Sequence, residues 1–567
     1  MTDPILRGCP KSIGEYEPKA YVGRQMRKKE SMVVQAEESE SLFGEVEKVE
    51  KKRRKKGEPV FKRYEQNQTM LLPPSLEELI PGKHLVRVVN STIDGLKIDG
   101  LLSTYEGGGT SAYHPIMMLK VLVYAYVSKI YSSRMIAKAL REDVNFMWLS
   151  GMNRPDFRTI NRFRSGRLKK VIDEVFGKMT MLLVEHGYVD LEKYFVDGTK
   201  MRADNNKHKV VWKKNTKRYK ENVQEKIRGL LKEIEEVNRE ENERYGDRDL
   251  EEMGEDTDLT SEDVKEEIEK INGIIKDLPK KDKKAKAVRE IERKLTPKLE
   301  RYEEQEKTLA GRNSYAKTDT DATVFMMKDG QLLPAYNVII GTQNQFILSY
   351  NFHQRKASES DALIGHLQHG KKIIGRYPSA VVGDSAYGSE ENYAFLEKKE
   401  IGNYLKYNTF HIEKTNKYRN NPYRKENFAY DEETDTYRCP QGRSVKFKEI
   451  REAKTENGYK TEHRIYQCVD CTNCSVTEMC KRGTGNRTIQ INKKLEAYRS
   501  QARVNLESEK GLALRRERGV DVEPVFADIK LNQNYRRFRL RGQEKVNVEM
   551  GLLSMAHNTK KIALLIN

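Results

Sequence analysis

Three acidic residues stand beside predicted secondary-structure boundaries, although they are far apart in the chain. Asp197 follows the β-rich run 194–196, Asp384 follows the apolar run 380–382, and Glu523 precedes a helix-forming segment. Two Asp and one Glu can coordinate two hard divalent cations through oxygen. Such an ion pair can activate water and stabilise a leaving 3′ oxygen in phosphodiester cleavage. A turn-forming Asp-Gly is the alternative interpretation of Asp197.

The segment around Glu523 combines this acid with many basic and aromatic residues. Gly519 is expected to break the chain before it, and Pro524 suits the first turn of a new helix, where a missing N–H is harmless. Lys530 follows about two helical turns later and can lie on the same side as Glu523. Four arginines then follow with two aromatic residues among them: Arg536, Arg537, Arg539 and Arg541 with Tyr535 and Phe538. This pattern favours acid chemistry held against a polyanion; a solvated basic helix with an incidental Glu is the alternative.

Composition narrows the class of protein. The chain has 567 residues and a net charge of +19, which favours a nucleic-acid partner without specifying one. No apolar run approaches the roughly 20 residues needed to span a bilayer. The N-terminus lacks an apolar signal core, so a cytoplasmic, nucleoid-associated location is expected. No convincing Ser/His/Asp or Cys/His arrangement indicates a covalent nucleophile.

The cysteines cluster in the segment 428–490. A Cys-Pro pair is followed by the spacing C-x2-C-x2-C-x5-C, and the candidate ligands are Cys439, Cys468, Cys471, Cys474 and Cys480. This spacing fits a tetrahedral thiolate zinc site, and a closed site of that kind would be structural. Five cysteines for four positions leave one spare. Free reduced thiols are the alternative interpretation.

The elements that must position these residues divide the chain into segments of different character. The expected segments are a disordered basic tail (1–60), an N-terminal helical DNA-binding domain (61–190), the first parts of an α/β core (191–202 and 313–427), a helical coiled-coil insertion (203–312), a cysteine-rich insertion resembling a zinc ribbon (428–490), and a C-terminal part of the core that carries the Glu-bearing helix (491–567). The insertion is expected to be an antiparallel helical pair or coiled coil, because apolar residues recur at roughly 3.5 spacing in its Glu/Lys-rich tracts.

Arginines line the last part of the N-terminal helical domain. A helix is expected to start near Asp156 and to carry Arg158, Arg162 and Arg164. Short helices that end in an arginine-lined one suit docking to DNA. An ordinary helical domain with a basic surface is the alternative.

In combination, these motifs resemble those of a bacterial insertion-sequence transposase of the DDE class. The resemblance covers most of residues 61–567 and includes YHPIMMLKVLVYAY, SSRMIAKAL and PDFRTINRFR in the helical domain. YFVDGTKMRA and VVGDSAYGSEEN resemble the two Asp motifs, and VEPVFADIKLNQNYRRFRLRG resembles the Glu motif. The resemblance implies a ribonuclease-H-like catalytic core in which Asp197, Asp384 and Glu523 hold two Mg²⁺ or Mn²⁺ ions. Lys530 matches the lysine that follows the Glu in this family. The cysteine spacing also resembles that of members of the family.

The resemblance further implies a DNA transposase that binds the terminal inverted repeats of its element as a homodimer. It would cleave a strand at each end and join the freed 3′-hydroxyl to target DNA. The residues expected to bind the DNA phosphates are Lys530, Arg536, Arg537 and Arg539. The sequence departs from the family signature before the Glu, where Arg516 and Gly519 stand in place of Tyr and Arg. A non-catalytic DNA-binding protein derived from a transposase is the alternative. A nuclease without strand transfer would share the same chemistry.

Overall fold

The computed structural model of the chain describes residues 75–105, 112–245, 259–275, 282–354, 360–455 and 457–566. These residues belong to one compact unit, Leu72–Asn567. The predicted basic tail (1–60) and the middle of the helical insertion (246–258) lie outside the described residues. Among the residues that are described, no helix is both long and apolar enough to cross a membrane.

Helices precede the first strand. They are α1 (Leu85–Asp94), α2 (Asp99–Leu102), α3 (Pro115–Val127), α4 (Ser133–Glu142), α5 (Val144–Leu149), α6 (Phe157–Arg162) and α7 (Ile172–Glu185). Pro115 opens α3, where its missing N–H needs no partner. Asp156 caps α6, because its Oδ1 accepts the Thr159 N–H at 2.7 Å. The predicted start of the arginine-lined helix is therefore confirmed, although a π-helical turn, Phe163–Arg167, continues it.

A mixed sheet forms the centre of the molecule. The strands before the cysteine-rich segment are β1 (Tyr194–Arg202), β2 (Val210–Trp212), β3 (Ser314–Ala316), β4 (Thr323–Met326), β5 (Leu332–Gln343), β6 (Phe346–Phe352), β7 (Ala380–Gly383) and β8 (Gly402–Leu405). The central sheet has the order β4-β5-β1-β7-β8, and β6 also pairs with β5. β1 is antiparallel to β5 and parallel to β7, which is parallel to β8. The chain therefore has the predicted α/β character.

The segment between β2 and β3 is helical and has its own apolar core. Its helices are α8 (Lys213–Tyr245), α9 (Ser261–Ile275), α10 (Lys283–Glu290) and α11 (Thr296–Leu309). α8 pairs with α11, as expected of a helical pair, and α10 also packs against α8 and α9 against α11, so the segment is more than a pair. Apolar residues from all these helices, such as Ile227, Val264, Val288 and Leu299, form one cluster. Antiparallel pairing of β2 with β3 joins the two ends of the segment.

The rest of the chain adds further helices and a second, antiparallel sheet. The elements are α12 (Leu363–Ile374), α13 (Glu390–Lys398), α14 (Asn416–Arg419), β9 (Ala429–Asp431), β10 (Thr436–Arg438), β11 (Ser444–Lys454), β12 (Lys460–Cys468), α15 (Thr477–Cys480), β13 (Thr488–Ile491), α16 (Lys493–Glu507), α17 (Glu509–Ala527) and α18 (Gln543–Ile566). The second sheet has the order β13-β12-β11-β10-β9. The final helix α18 packs on β6 and also on α3 and α7.

The helix that carries Glu523 differs from the prediction. Glu523 does not open a helix and Gly519 does not break one, since both lie inside α17. Pro524 is therefore an internal proline, which cannot donate to the carbonyl of Val520 four residues earlier. The Gln345 side chain supplies the missing donor, with its Nε2 at 2.7 Å from the Val520 oxygen. A side chain from the β5–β6 turn thus compensates the proline, and the helix continues into the π-helical turn Asp528–Asn532.

Candidate active site

Two of the predicted acids lie at the same edge of the central sheet. The parallel ladder of β1 and β7 pairs Phe195 with Val382, and Asp197 and Asp384 each come two residues later. The prediction that Asp197 ends its strand is wrong, because β1 continues to Arg202 in antiparallel pairing with β5. Only the parallel pairing stops there, since the chain leaves β7 at Asp384. The two carboxylates are therefore brought to neighbouring positions by strand register.

Local hydrogen bonds hold both carboxylates. Asp384 Oδ1 accepts the N–H of Ala386 at 2.9 Å and so caps the 3-10 turn Ser385–Tyr387. Asp197 Oδ1 accepts the N–H of Gly198 at 2.9 Å. Each acid is thus oriented by the backbone next to it, and a rigid sheet lies behind them.

Arg518 joins the third acid to the first. Helix α17 packs on β1 and β7. The Arg518 Nη2 lies 3.2 Å from Asp197 Oδ1, and its Nη1 lies 3.5 Å from Glu523 Oε1. The Arg518 side chain is 10% exposed, whereas the Glu523 side chain is 60% exposed. One guanidinium therefore bridges two of the predicted catalytic acids at the sheet edge where the third also lies.

Lys406 is a residue of this site that the sequence analysis missed. It directly follows β8, and β8 pairs in parallel with β7 so that Leu405 lies opposite Gly383. Lys406 and Asp384 consequently leave adjacent strands at the same edge. Burial lowers the pKa of Lys406, as do Arg518 and Arg515, whereas Asp384 and Glu523 oppose that change. The sequence feature that could have identified Lys406 is its place directly after a short strand, at the edge where α/β sheets carry their functional sites.

Lys530 also lies close to Asp197, but protein atoms hold its amine. Its Nζ donates to Thr199 Oγ1 at 2.5 Å and to the Lys200 carbonyl at 3.0 Å. Burial lowers the pKa of Lys530 to about 8, Lys328 acts in the same direction, and Asp197 opposes them. Lys530 therefore ties the π-helical turn after α17 to β1.

The donor set suits hard divalent cations, but the carboxylates are not gathered around one point. Asp and Glu oxygens are the usual ligands of Mg²⁺. Across the described ranges, no group of three or more His, Cys, Asp or Glu side chains is arranged to hold a metal ion. Arg518 instead supplies positive charge between Asp197 and Glu523. Joint coordination by all three acids therefore requires the Glu523 and Arg518 side chains to move.

The predicted DNA-binding arginines fall into two groups. Arg158, Arg162, Arg536 and Arg539 are exposed. Arg537 is exposed as well, but its Nη2 lies 3.3 Å from Asp204 Oδ1. Arg164 is only 4% exposed, so its prediction as a surface contact is wrong.

Arg164 belongs to a buried polar network. Its Nη1 donates to the Tyr131 carbonyl at 2.9 Å and to the Tyr126 hydroxyl at 3.3 Å. The Tyr126 hydroxyl in turn lies 3.4 Å from Oε1 of Glu549, which is fully buried in α18. Helical spacing alone placed Arg164 with its exposed neighbours, but the π-helical turn rotates it inward.

The cysteines converge at one end of the second sheet. All five predicted ligands, Cys439, Cys468, Cys471, Cys474 and Cys480, line one cavity of about 20 Å³. The backbone N–H of Arg487 donates to Cys471 Sγ at 3.3 Å. Burial raises the pKa of Cys468 to about 11, and Cys471 and Cys439 act in the same direction. The sulfurs surround a space about the size of one ion or water, although no three of them stand in ligand geometry among the described residues.

Two family models match the chain, in N-terminal to C-terminal order. A model described as "Transposase domain (DUF772)" matches residues 74–166, which include the helices from α1 to α6. A model described as "Transposase DDE domain" matches residues 438–563. The second match includes Glu523, whereas Asp197 and Asp384 lie outside both. No curated protein matches the chain.

These matches agree with the resemblance seen in the motifs and with the acid-bearing edge of the central sheet. The family implies binding to DNA, divalent metal ions, and an enzyme that breaks and transfers phosphodiester bonds. The two matches, in this order along the chain, support an insertion-sequence DDE transposase.

Proposed function

We propose that this transposase binds the terminal inverted repeats of its own element and catalyses strand cleavage followed by strand transfer. Asp197, Asp384 and Glu523 are its catalytic residues and hold Mg²⁺ or Mn²⁺. The observation that carries this proposal is the strand register that sets Asp197 beside Asp384, with Arg518 joining Asp197 to Glu523. The sheet, with β1 antiparallel to one neighbour and parallel to the other, supports a ribonuclease-H-like core.

The chemistry consists of two substitutions at phosphorus. In the first, water attacks a phosphodiester at the element end, the bond from phosphorus to the 3′ oxygen breaks, and a free 3′-hydroxyl remains. In the second, this hydroxyl attacks a phosphodiester of target DNA and displaces the 3′ oxygen there, so the number of ester bonds is conserved. Two bound ions would make the attacking water or hydroxyl more acidic. They would also stabilise the negative charge that develops on the leaving oxygen.

The side chains around the acids have distinct tasks in this proposal. The sheet fixes Asp197 and Asp384, so these two set the reference position for the scissile phosphate. Glu523 is exposed and can swing toward them when the Arg518 guanidinium withdraws. Lys406, which leaves β8 beside Asp384, faces the same edge and can neutralise phosphate charge. The Lys530 amine keeps its hydrogen bond to Thr199 and so holds in place the strand that carries Asp197.

The test is cleavage of duplex DNA carrying the ends of the element, with Mg²⁺ or Mn²⁺. We expect Asp384→Asn to reduce cleavage by at least roughly a hundredfold while DNA affinity is kept. Asp431→Asn serves as a matched control, because this acid lies on β9 of the second sheet, where it accepts the Thr434 hydroxyl at 2.8 Å. Wild-type cleavage by Asp384→Asn would contradict the proposal. Binding without cleavage in the wild-type protein would instead favour a DNA-binding relic.

We also propose the predicted division of labour along the chain. Residues 61–190 bind DNA, residues 191–202, 313–427 and 491–567 form the catalytic core, and 203–312 and 428–490 are insertions into it. A homodimer on DNA follows from the need to process two ends of one element. Mg²⁺ is the expected physiological ion.

A structural zinc ion in the cysteine cavity completes the proposal. Thiolate sulfurs in two C-x2-C steps suit zinc, and the Arg487 N–H on Cys471 Sγ is the kind of second contact that orients a ligating sulfur. Protein purified without chelator is expected to contain one zinc per chain by elemental analysis, and Cys471→Ser to contain less. The zinc proposal would be contradicted if the wild-type protein contained no zinc and had the same melting temperature with and without added zinc.

A further inference from the structure

A surface cleft brings together arginines that are far apart in the sequence. Its volume is about 500 Å³, and it lies between α4, α6 and the chain that precedes α18. The arginines that line it are Arg134, Arg158, Arg162, Arg164 and Arg539. Ser132, Ser133 and Asn161 add polar groups, and no Asp or Glu is among its lining residues. The cleft therefore has the charge and the donors of an anion site.

The exposed arginines of the cleft differ from the other arginines near α18. Within the described part of the chain, Arg134, Arg158, Arg162 and Arg539 form no ion pair, whereas Arg541 approaches Asp204 at 2.9 Å. Arg134 and Arg158 instead lie over the ring of Phe157, at 5.0 and 5.7 Å from its centroid. Aromatic stacking holds a guanidinium without neutralising it.

The two walls of the cleft are joined by buried hydrogen bonds. The Tyr131 hydroxyl donates to the Gln533 carbonyl at 2.6 Å, which links the start of α4 to the chain after α17. Glu549 accepts the backbone N–H of Arg539 at 2.7 Å and connects through Tyr126 to Arg164. Arg164 forms the floor, with Nη2 at 3.3 Å from Ser133 Oγ. The arginines are thus presented on a preorganised surface, which reduces the entropy lost on binding.

We infer that this cleft binds the phosphodiester backbone of duplex DNA across the boundary between the helical segment and the core. The inference rests on the proposed function, which supplies DNA as the substrate. Arginine is suited to phosphate because its planar fork can donate two hydrogen bonds to one group. Arg134, Arg158, Arg162 and Arg539 contact phosphates, and Arg164 positions Ser133 beneath them. DNA held here contacts the segment that leads from the Glu523 helix into α18.

The test measures binding of full-length protein to a fluorescent duplex of arbitrary sequence, without added Mg²⁺ or Mn²⁺, over a range of salt concentrations. Each lost phosphate contact lowers the salt slope of log affinity by about 0.9. We expect the double variant Arg134→Ala/Arg158→Ala to lose roughly two units of slope and at least about tenfold in affinity at physiological salt. Arg134→Lys/Arg158→Lys should keep most of the slope, because the charge remains.

The matched control is Arg141→Ala/Arg376→Ala, which makes the same change in net charge. Arg141 lies on α4 outside the cleft, and Arg376 donates to the Asp190 carbonyl at the opposite end of the sheet. Wild-type slope in the cleft variant would overturn the inference, as would an equal loss in the control. Because cleavage is not measured, the result is independent of the Asp384→Asn experiment, and either proposal can fail alone.

Discussion

Arg518 forms an ion pair with Asp197, and the same guanidinium reaches Glu523. A divalent ion bound by these two carboxylates has to displace that guanidinium. The contact of Arg518 with Glu523, whose side chain is 60% exposed, is worth only about 1 kcal/mol, whereas its ion pair with Asp197 is mostly buried. The arginine therefore competes with a metal ion mainly at Asp197.

We expect Arg518→Gln to bind Mn²⁺ more tightly than the wild type, by at least roughly fivefold, which corresponds to about 1 kcal/mol. Titration calorimetry on the DNA-free protein measures this directly. Arg516→Gln is the control, because Arg516 is an exposed arginine on the same helix. Equal or weaker Mn²⁺ affinity in Arg518→Gln would show that the guanidinium does not compete with the ion.

Lys530 is expected to titrate within the working pH range. Burial lowers its pKa to about 8, below the value of about 10.4 for a free lysine. Between these values the unfolded chain binds more protons than the folded one, so stability rises with pH from about 8 to about 10 as the cost of burying the charge is relieved. Below pH 8 that cost is fully present.

Two measurements check this prediction. The ¹³C-methyl signal of reductively methylated Lys530 should titrate near pH 8. The difference in melting temperature between the wild type and Lys530→Met should change only in the pH window from about 8 to about 10. A difference that stays constant across this window would contradict the assignment.

The contact between Gln345 and the helix carbonyl of Val520 is expected to matter only because residue 524 is proline. We predict that Gln345→Ala lowers stability by about 1 kcal/mol, since it leaves that carbonyl without its donor. With Pro524→Ala, the backbone N–H of residue 524 can donate to Val520 instead. The cost of Gln345→Ala should then be smaller, with only the Lys561 contact at 3.0 Å still lost. Additive costs in this double-mutant cycle, measured by thermal unfolding, would rule out the compensation.

Arg164 is expected to be needed for folding rather than for contact with DNA. Burial raises the pKa of Glu549, and Arg164 opposes that change. Removing the buried cation leaves an uncompensated acid, at a cost of about 3 to 5 kcal/mol. Arg164→Ala should therefore melt at a clearly lower temperature, whereas the exposed neighbour variant Arg162→Ala should stay within about 0.5 kcal/mol of the wild type. Equal melting temperatures for the two variants would contradict this role.

The sequence by itself predicted the three acids of the proposed site and the type of most elements. Asp156 marks a predicted helix start that the structure confirms, because a local residue decides the cap. Asp384 could be placed at a strand end from the apolar run before it. Motif resemblance identified the transposase family, which the two family models support.

Only the tertiary structure decided how these pieces meet. Pro524 appeared to start a helix because its compensating donor, Gln345, lies 175 residues from Val520 in the chain. Lys406 and Arg518 became part of the site through strand register and helix packing, which no local pattern encodes. Arg164 and Arg162 have the same charge and neighbouring positions, yet one is buried and the other exposed. Burial depends on which face of a turn meets the core, and that is settled only when distant elements pack together.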